Sequence, residues 1–203
     1  MAVFQRARNS EQREARRQAI LGAAAAMLAE MPVAQVTLNE LSRRAGLAKS
    51  NVLRYFESRE AVLLELLDSA WQDWLAGLQQ DLTAAVGAAA PLAERCDRLA
   101  AALAGSLASR PMLCDLISAQ AAVLERNVSP QVAAQYKRAS IAGITALGLL
   151  VSGCVPELGE DDGIRLAGAD GETFSSRSRV SRGSQSRQAE SSSSSSTASR
   201  DSK

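Results

Sequence analysis

The chain has 203 residues, 46% of them hydrophobic but only 3% aromatic, and Ala and Leu dominate; such a composition favours helix over strand, so an all-α fold is expected. There is no histidine, which removes the commonest general base and metal ligand, and no nucleophile-elbow, phosphate-loop or dinucleotide motif appears, so no catalytic residue, metal site or cofactor is expected. The net charge of +1 hides an asymmetry: residues 1–59 hold ten Lys/Arg against five Asp/Glu, and residues 60–173 hold seven against fifteen, a basic head on an acidic body that points to a polyanionic partner for the head.

Residues 1–10 read as a flexible basic arm. The first helix is expected from about Ser10 to Glu30, because Ile20, Ala24, Met27, Leu28 and Met31 recur at spacings of three and four, and Pro32 ends it. The second begins at Thr37. Thr37-Leu38-Asn39-Glu40 has the form of a capping box, in which the hydroxyl accepts from the Glu40 amide and the Glu40 side chain reaches back. Gly46 then permits a left-handed turn, and a third helix follows at once, from Ala48 to Tyr55. Two short helices joined by a glycine turn have the layout of a helix-turn-helix.

A fourth helix starts after Ser58, with an apolar stripe from Val62 to Leu78, and runs to about Ala85. Pro91, Pro111 and Pro130 each open a further helix at the position proline tolerates, the last reaching about Gly153. Asp161 and Asp162 read as the cap of an eighth. From Ser175 onward serine dominates, including the run Ser191–Ser196, a composition too polar to form a core. Cys96, Cys114 and Cys154 are odd in number and lack metal-ligand spacing, which fits free thiols in a reducing compartment. Residues 1–18 are polar and arginine-rich, unlike a signal peptide, and no apolar run is long and pure enough to span a bilayer; a cytoplasmic protein without membrane contact is expected.

On a helical wheel the third helix is polar on one arc and apolar on the other. Ser50, Asn51, Arg54 and Tyr55 occupy the polar arc, Val52 and Phe56 the opposite one, and Leu53 the flank. That polar arc suits double-stranded DNA. Asn pairs two ways with an adenine edge and Arg with guanine, while Ser50 suits a base or a phosphate. Lys49 and Tyr55 suit phosphates, which set register. Thr37 and Arg59 sit at the starts of the second and fourth helices, where main-chain amides and the helix dipole favour an anion.

The run from Val36 to Glu60, with its Thr37 start, Ala45-Gly46, Tyr55-Phe56 and Ser58-Arg59-Glu60, closely resembles the signature of the tetracycline-repressor (TetR) family. The resemblance is strong over about residues 12–70 and architectural beyond. It implies an all-α homodimer bound to a palindromic operator, with one reading helix per half-site. It also implies repression relieved by a small-molecule effector, and DNA contacts at Thr37, Lys49, Ser50, Asn51, Arg54, Tyr55 and Arg59. Two residues depart from the pattern. Ala48 stands where a serine cap is frequent, and Leu53 where a tyrosine is common, so one expected aromatic contact is missing.

Trp71, Trp74, Met112, Leu116, Ile117 and Tyr136 lie on helices that this architecture would wrap around an effector, with an apolar compound as the default occupant. The organisation expected is therefore an arm (1–10), a helix-turn-helix domain (11–57), a helical sensing and dimerisation region (58–173) and a disordered Ser/Arg-rich tail (174–203). Only one turn of the eighth helix, Gly163 to Ala169, is legible, and no ninth. The homodimer is accordingly expected to be weakened, and the abrupt change of composition reads as a truncated or frameshifted end. The competing reading is a helical module that binds another protein and no DNA.

Overall fold

The computed structural model describes residues 2–87, 89–124 and 127–168 of the chain. Among the described residues there are helices, turns and loops and no strand, in keeping with the Ala- and Leu-rich composition. In chain order the elements are α1 (Ala2–Leu28), a 3-10 turn (Val33–Gln35), α2 (Leu38–Arg44), α3 (Lys49–Val52), α4 (Arg59–Val86), α5 (Leu92–Ala108), α6 (Pro111–Leu124), α7 (Pro130–Cys154), a second 3-10 turn (Pro156–Leu158) and α8 (residues 159–168). The Ser/Arg-rich segment 174–203 lies outside the described residues.

Polar caps set the helix starts. Thr37 Oγ1 accepts from the Glu40 amide at 3.2 Å, Ser58 Oγ from Ala61 at 3.1 Å and Ser129 Oγ from Val132 at 3.3 Å. Each bond satisfies an amide that the first helical turn leaves without a partner. At Thr37 the reciprocal half of the expected capping box gives way: the Glu40 carboxylate is engaged by Arg43 and Arg44. Arginines three and four residues on offer charge-assisted bonds that outcompete a neutral amide.

Three boundaries differ from expectation. α1 begins at Ala2, within the stretch expected to be a flexible arm, since the chain has no Pro or Gly between Ala2 and Leu21 to interrupt it. α3 ends at Val52, and the next turn tightens: Arg54 donates to the Asn51 carbonyl at 3.2 Å and Tyr55 to that of Val52 at 2.9 Å, which swings Phe56 into the core. α8 starts at residue 159 and is ten residues long among those described, longer than the single turn expected. The turn at Pro156–Leu158 leads directly into it, so Asp161 and Asp162 fall inside its first turn, where the helix dipole favours acids. Ser152 Oγ on α7 donates to the Gly159 carbonyl at 2.8 Å, joining the two.

α4 is the spine. Its 28 residues span about 42 Å at 1.5 Å per residue. One end packs on α1, and the remainder on α5, α6 and α7. At the head, Val62, Leu63 and Leu66 are buried in one cluster with Ile20, Ala24, Met27, Leu41, Val52 and Phe56. Further along, Trp74, Leu78 and Leu82 share that cluster with Leu99, Leu113, Leu147 and Val151. Each such side chain contributes about 1.5–3 kcal/mol by burial. A core continuous through both halves makes the head an extension of the body. Buried Arg95 closes the far end: its guanidinium donates to the carbonyls of Ala90 at 3.1 Å and Cys154 at 3.3 Å and pairs with Glu157. That bond holds the Glu157 carboxyl below its ordinary range. Among the described residues, no single helix is long and apolar enough to cross a membrane.

Candidate nucleic-acid interface

The turn between α2 and α3 is fixed by main-chain geometry. Leu47 donates to the Ser42 carbonyl at 3.0 Å and Gly46 to that of Arg43 at 3.2 Å, the paired bonds of a Schellman motif. The motif requires a left-handed residue at its centre, and Gly46 sits at φ +66°, where a Cβ would be strained. The chain leaves this turn into α3 with Ala48 at the N-cap position and no side-chain cap bond.

α3 and the turn after it present the two faces that the wheel predicts. Val52 and Phe56 are buried; Lys49, Ser50, Asn51, Leu53 and Arg54 are exposed, and Tyr55 is half-buried. Thr37 is exposed at the start of α2. Six of the seven residues expected to meet DNA therefore stand around one short helix and the mouth of its neighbour. The seventh, Arg59, is oriented differently. Its guanidinium donates to the Val36 carbonyl at 2.7 Å and to Glu60 at 2.9 Å. The side chain thus ties the start of α4 to the residue before Thr37 and sets those two helix starts side by side.

Arg17 of α1 joins this site although no motif marks it. Its guanidinium donates to the Tyr55 carbonyl at 3.2 Å, pairs with Glu65 of α4 and lies 4.4 Å from the Phe56 ring centroid. It thereby fixes the end of the α3 segment against two long helices. One arginine among several on α1 carries no sequence signal for this role, because the partners are 38 to 48 residues away.

Charge is distributed unevenly over this surface. Arg43 and Arg44, at the end of α2, are committed to Glu40, and Arg44 also to Glu30. Those hydrogen bonds, Arg43's foremost, hold the Glu40 carboxyl down at about 2, from an ordinary 4.5. Lys49 and Arg54 take part in no ion pair among the described residues. Lys49 and Arg54 are thus uncommitted, whereas Arg43 and Arg44 are paired with acids of the head. Among the described residues, no group of three or more His, Cys, Asp or Glu is placed to hold a metal ion.

The residues expected to line an effector pocket are distributed between core and cleft. Trp74 is buried and its Nε1 donates to Ser106 Oγ at 3.0 Å; Trp71 meets it edge-on, with centroids 5.0 Å apart and planes at 71°. Leu116 is buried, while Met112 and Ile117 pack partly buried against the same core. Of the six, Tyr136 alone lines a cleft of about 540 Å³ that opens between the head (Arg17, Tyr55, Phe56, Glu57), α4 and α7. Burial, with Asp68 nearby, raises the Tyr136 phenol above its ordinary value. Hydrogen bonds also tie α6 and the start of α7 to the head. The Val33 amide donates to the Asp115 carboxylate of α6 at 2.8 Å, and the Ser129 amide, at the start of α7, donates to Glu57.

Residues 20–66 match the family model described as "Bacterial regulatory proteins, tetR family", and residues 68–169 match "Tetracyclin repressor-like, C-terminal domain". The "HTH-type transcriptional regulator EthR" of Mycobacterium tuberculosis and that of Mycobacterium bovis are each 42% identical over 50 residues, 25% of this chain and 23% of theirs. The alignment thus spans about a quarter of those curated relatives. The solved structure of a tetR family transcription regulator from Shewanella sp. PV-4 aligns over 86% of this chain and 93% of its own, at 20% identity and a TM-score of 0.41.

Proposed function

Because the chain belongs to the tetracycline-repressor family of bacterial transcription regulators, whose DNA-binding and C-terminal models together cover residues 20–66 and 68–169, we propose that it is a repressor that reads a palindromic operator through α3 and is released by a small-molecule effector. Asn51 and Arg54 read base edges, with Ser50 beside them. Lys49, Tyr55 and the Thr37 start of α2 hold phosphates. Arg59 acts behind this surface, holding the α2 and α4 starts in register. The observation that carries the reading is that Lys49, at the start of α3, and Arg54, in the turn after it, are exposed and in no ion pair among the described residues, while Val52 and Phe56 face the core.

Release by an effector is supported by two of the bonds that join head to body, those from α6 and the start of α7. Val33–Asp115 lies behind α2 and Glu57–Ser129 directly after the α3 turn. A ligand that moves α6 or the start of α7 therefore pulls on both ends of the reading unit, which is the coupling that relief of repression requires. Two copies pair through α7 and α8, whose ten described residues exceed the single turn from which a weakened dimer is expected, and so place two reading helices on one operator. Electrophoretic shift of genomic fragments across a salt series tests the DNA reading. Retardation that weakens steeply with salt is expected; absence of any retarded fragment would favour the protein-binding module instead.

A further inference from the structure

We propose that Leu53 reads the C5 methyl group of a thymine in the major groove, so that one thymine in each half-site is specified by an apolar contact. The inference rests on the reading above, in which α3 enters that groove. Five large apolar side chains are exposed among the described residues, and Leu53, at 42%, is the one that lies in the helix-turn-helix head; the others, Leu92, Ile141, Leu149 and Leu166, lie on α5, α7 and α8. Between residues 10 and 57 the head buries its other large aliphatic and aromatic groups wholly or in part.

Its position is what gives the exposure meaning. Leu53 follows Lys49 by four residues and Ser50 by three, the spacings that put side chains on one helix face. Its amide donates to the Lys49 carbonyl at 3.0 Å, and its backbone is right-handed helical at φ −66°, so the direction of the side chain is fixed by α3 itself. It is thus flanked by the residues that hold phosphate and base. A leucine at such a place neither donates nor accepts a hydrogen bond. Among the base edges of the major groove, only thymine offers an apolar group of matching size, its C5 methyl. Cytosine presents an amino donor and no methyl at that edge, so desolvating it against Leu53 gives no return. The contact discriminates by shape and polarity where Asn51 and Arg54 discriminate by hydrogen bonds.

The test exchanges the methyl group alone. Duplexes recovered by the full chain from a random-sequence pool are re-synthesised with deoxyuridine replacing one thymine at a time, and affinity is measured for the wild-type chain and for Leu53→Ala. One thymine per half-site is expected at which deoxyuridine weakens wild-type binding about fourfold, the effect of removing one buried methyl, while Leu53→Ala binds the thymine and deoxyuridine duplexes equally. Circular dichroism of Leu53→Ala is expected to match that of the parent, since the side chain is exposed. Equal wild-type affinity at every substituted position, or an undiminished thymine preference in Leu53→Ala, overturns the assignment while leaving the regulator reading intact. A pool from which no sequence is enriched overturns both.

Discussion

The indole of Trp71 on α4 lies directly against Gly143 on α7: a Cβ on that glycine would sit 2.4 Å from Trp71 Nε1 and 2.8 Å from Cδ1. α4 and α7 approach this closely because position 143 carries no side chain. Gly143→Ala must therefore displace a large aromatic ring that also packs on Trp74. Overpacking of this kind costs about 1–3 kcal/mol, or roughly 3–10 °C in Tm for a chain of this size. Thermal unfolding followed by tryptophan fluorescence should show both the lower midpoint and a red-shifted emission; an unchanged midpoint would mean that the ring relaxes freely and that the contact is loose.

The Val33–Asp115 hydrogen bond links α6 to the head. A main-chain amide bonded to a carboxylate contributes about 1.5–3 kcal/mol, so Asp115→Ala should speed hydrogen exchange at the Val33 amide by at least tenfold while amides in the middle of α7 stay protected. Equal protection in the variant and the parent would remove this bond from the coupling route.

Glu40 sets an acid limit on the head. Its folded carboxyl titrates at about 2 against an ordinary 4.5, through the hydrogen bonds from Arg43 and then Arg44. A depressed carboxyl contributes stability that is fully present above the ordinary value and is lost as pH falls from about 4.5 toward about 2. Glu40→Gln should remove that part of the pH dependence, and the Glu40 side-chain carbonyl resonance should titrate near 2. A midpoint at the ordinary value would show that the arginines do not hold it.

Lys49 and Arg59 should separate cleanly by experiment. Lys49→Ala is expected to weaken binding to all DNA and to reduce the slope of log affinity against log salt by about one. Arg59→Ala should leave the slope largely unchanged and lower thermal stability, because its guanidinium is engaged with Val36 and Glu60. A full unit lost from the slope in Arg59→Ala would make that residue a phosphate contact after all.

Ile141 and Leu149 on α7 and Leu166 on α8 are three of the five exposed large apolar side chains, and the proposed dimer covers them. The double substitution Leu149→Lys and Leu166→Lys should shift the sedimentation equilibrium at micromolar protein from dimer to monomer without loss of helical signal. A wild-type chain that is already monomeric there would contradict the pairing.

Much of the head was legible from local chemistry. Thr37, Ser58 and Ser129 announce their helices because a cap acts within three residues, Gly46 marks its turn because few other residues tolerate that φ, and the alternation of Ser50, Asn51 and Arg54 with Val52 and Phe56 shows which arc of α3 faces out. What escaped depends on distance in sequence. Arg17 with Tyr55 and Glu65, Val33 with Asp115, and Arg59 with Val36 are partners that only the folded chain brings together. The same limit bears on the residues expected around an effector. Trp71, Trp74 and Leu116 are apolar on helices that enclose something, and sequence cannot distinguish a cavity wall from a core. The early start of α1 escaped for a different reason, since polar, arginine-rich residues without an apolar face support a helix and an extended arm equally well.

The central claim is that α3 reads DNA sequence through Asn51 and Arg54. The most direct test is the ratio of affinities for a selected operator duplex and a scrambled duplex of equal length, measured at one salt concentration for the wild-type chain, for Asn51→Ala and for Arg54→Ala. The wild-type ratio should be about a thousandfold or more, and each substitution should reduce it by about 1–3 kcal/mol, roughly 5- to 150-fold, with little change on the scrambled duplex. Equal losses on both duplexes, or a wild-type ratio near one, would contradict the account.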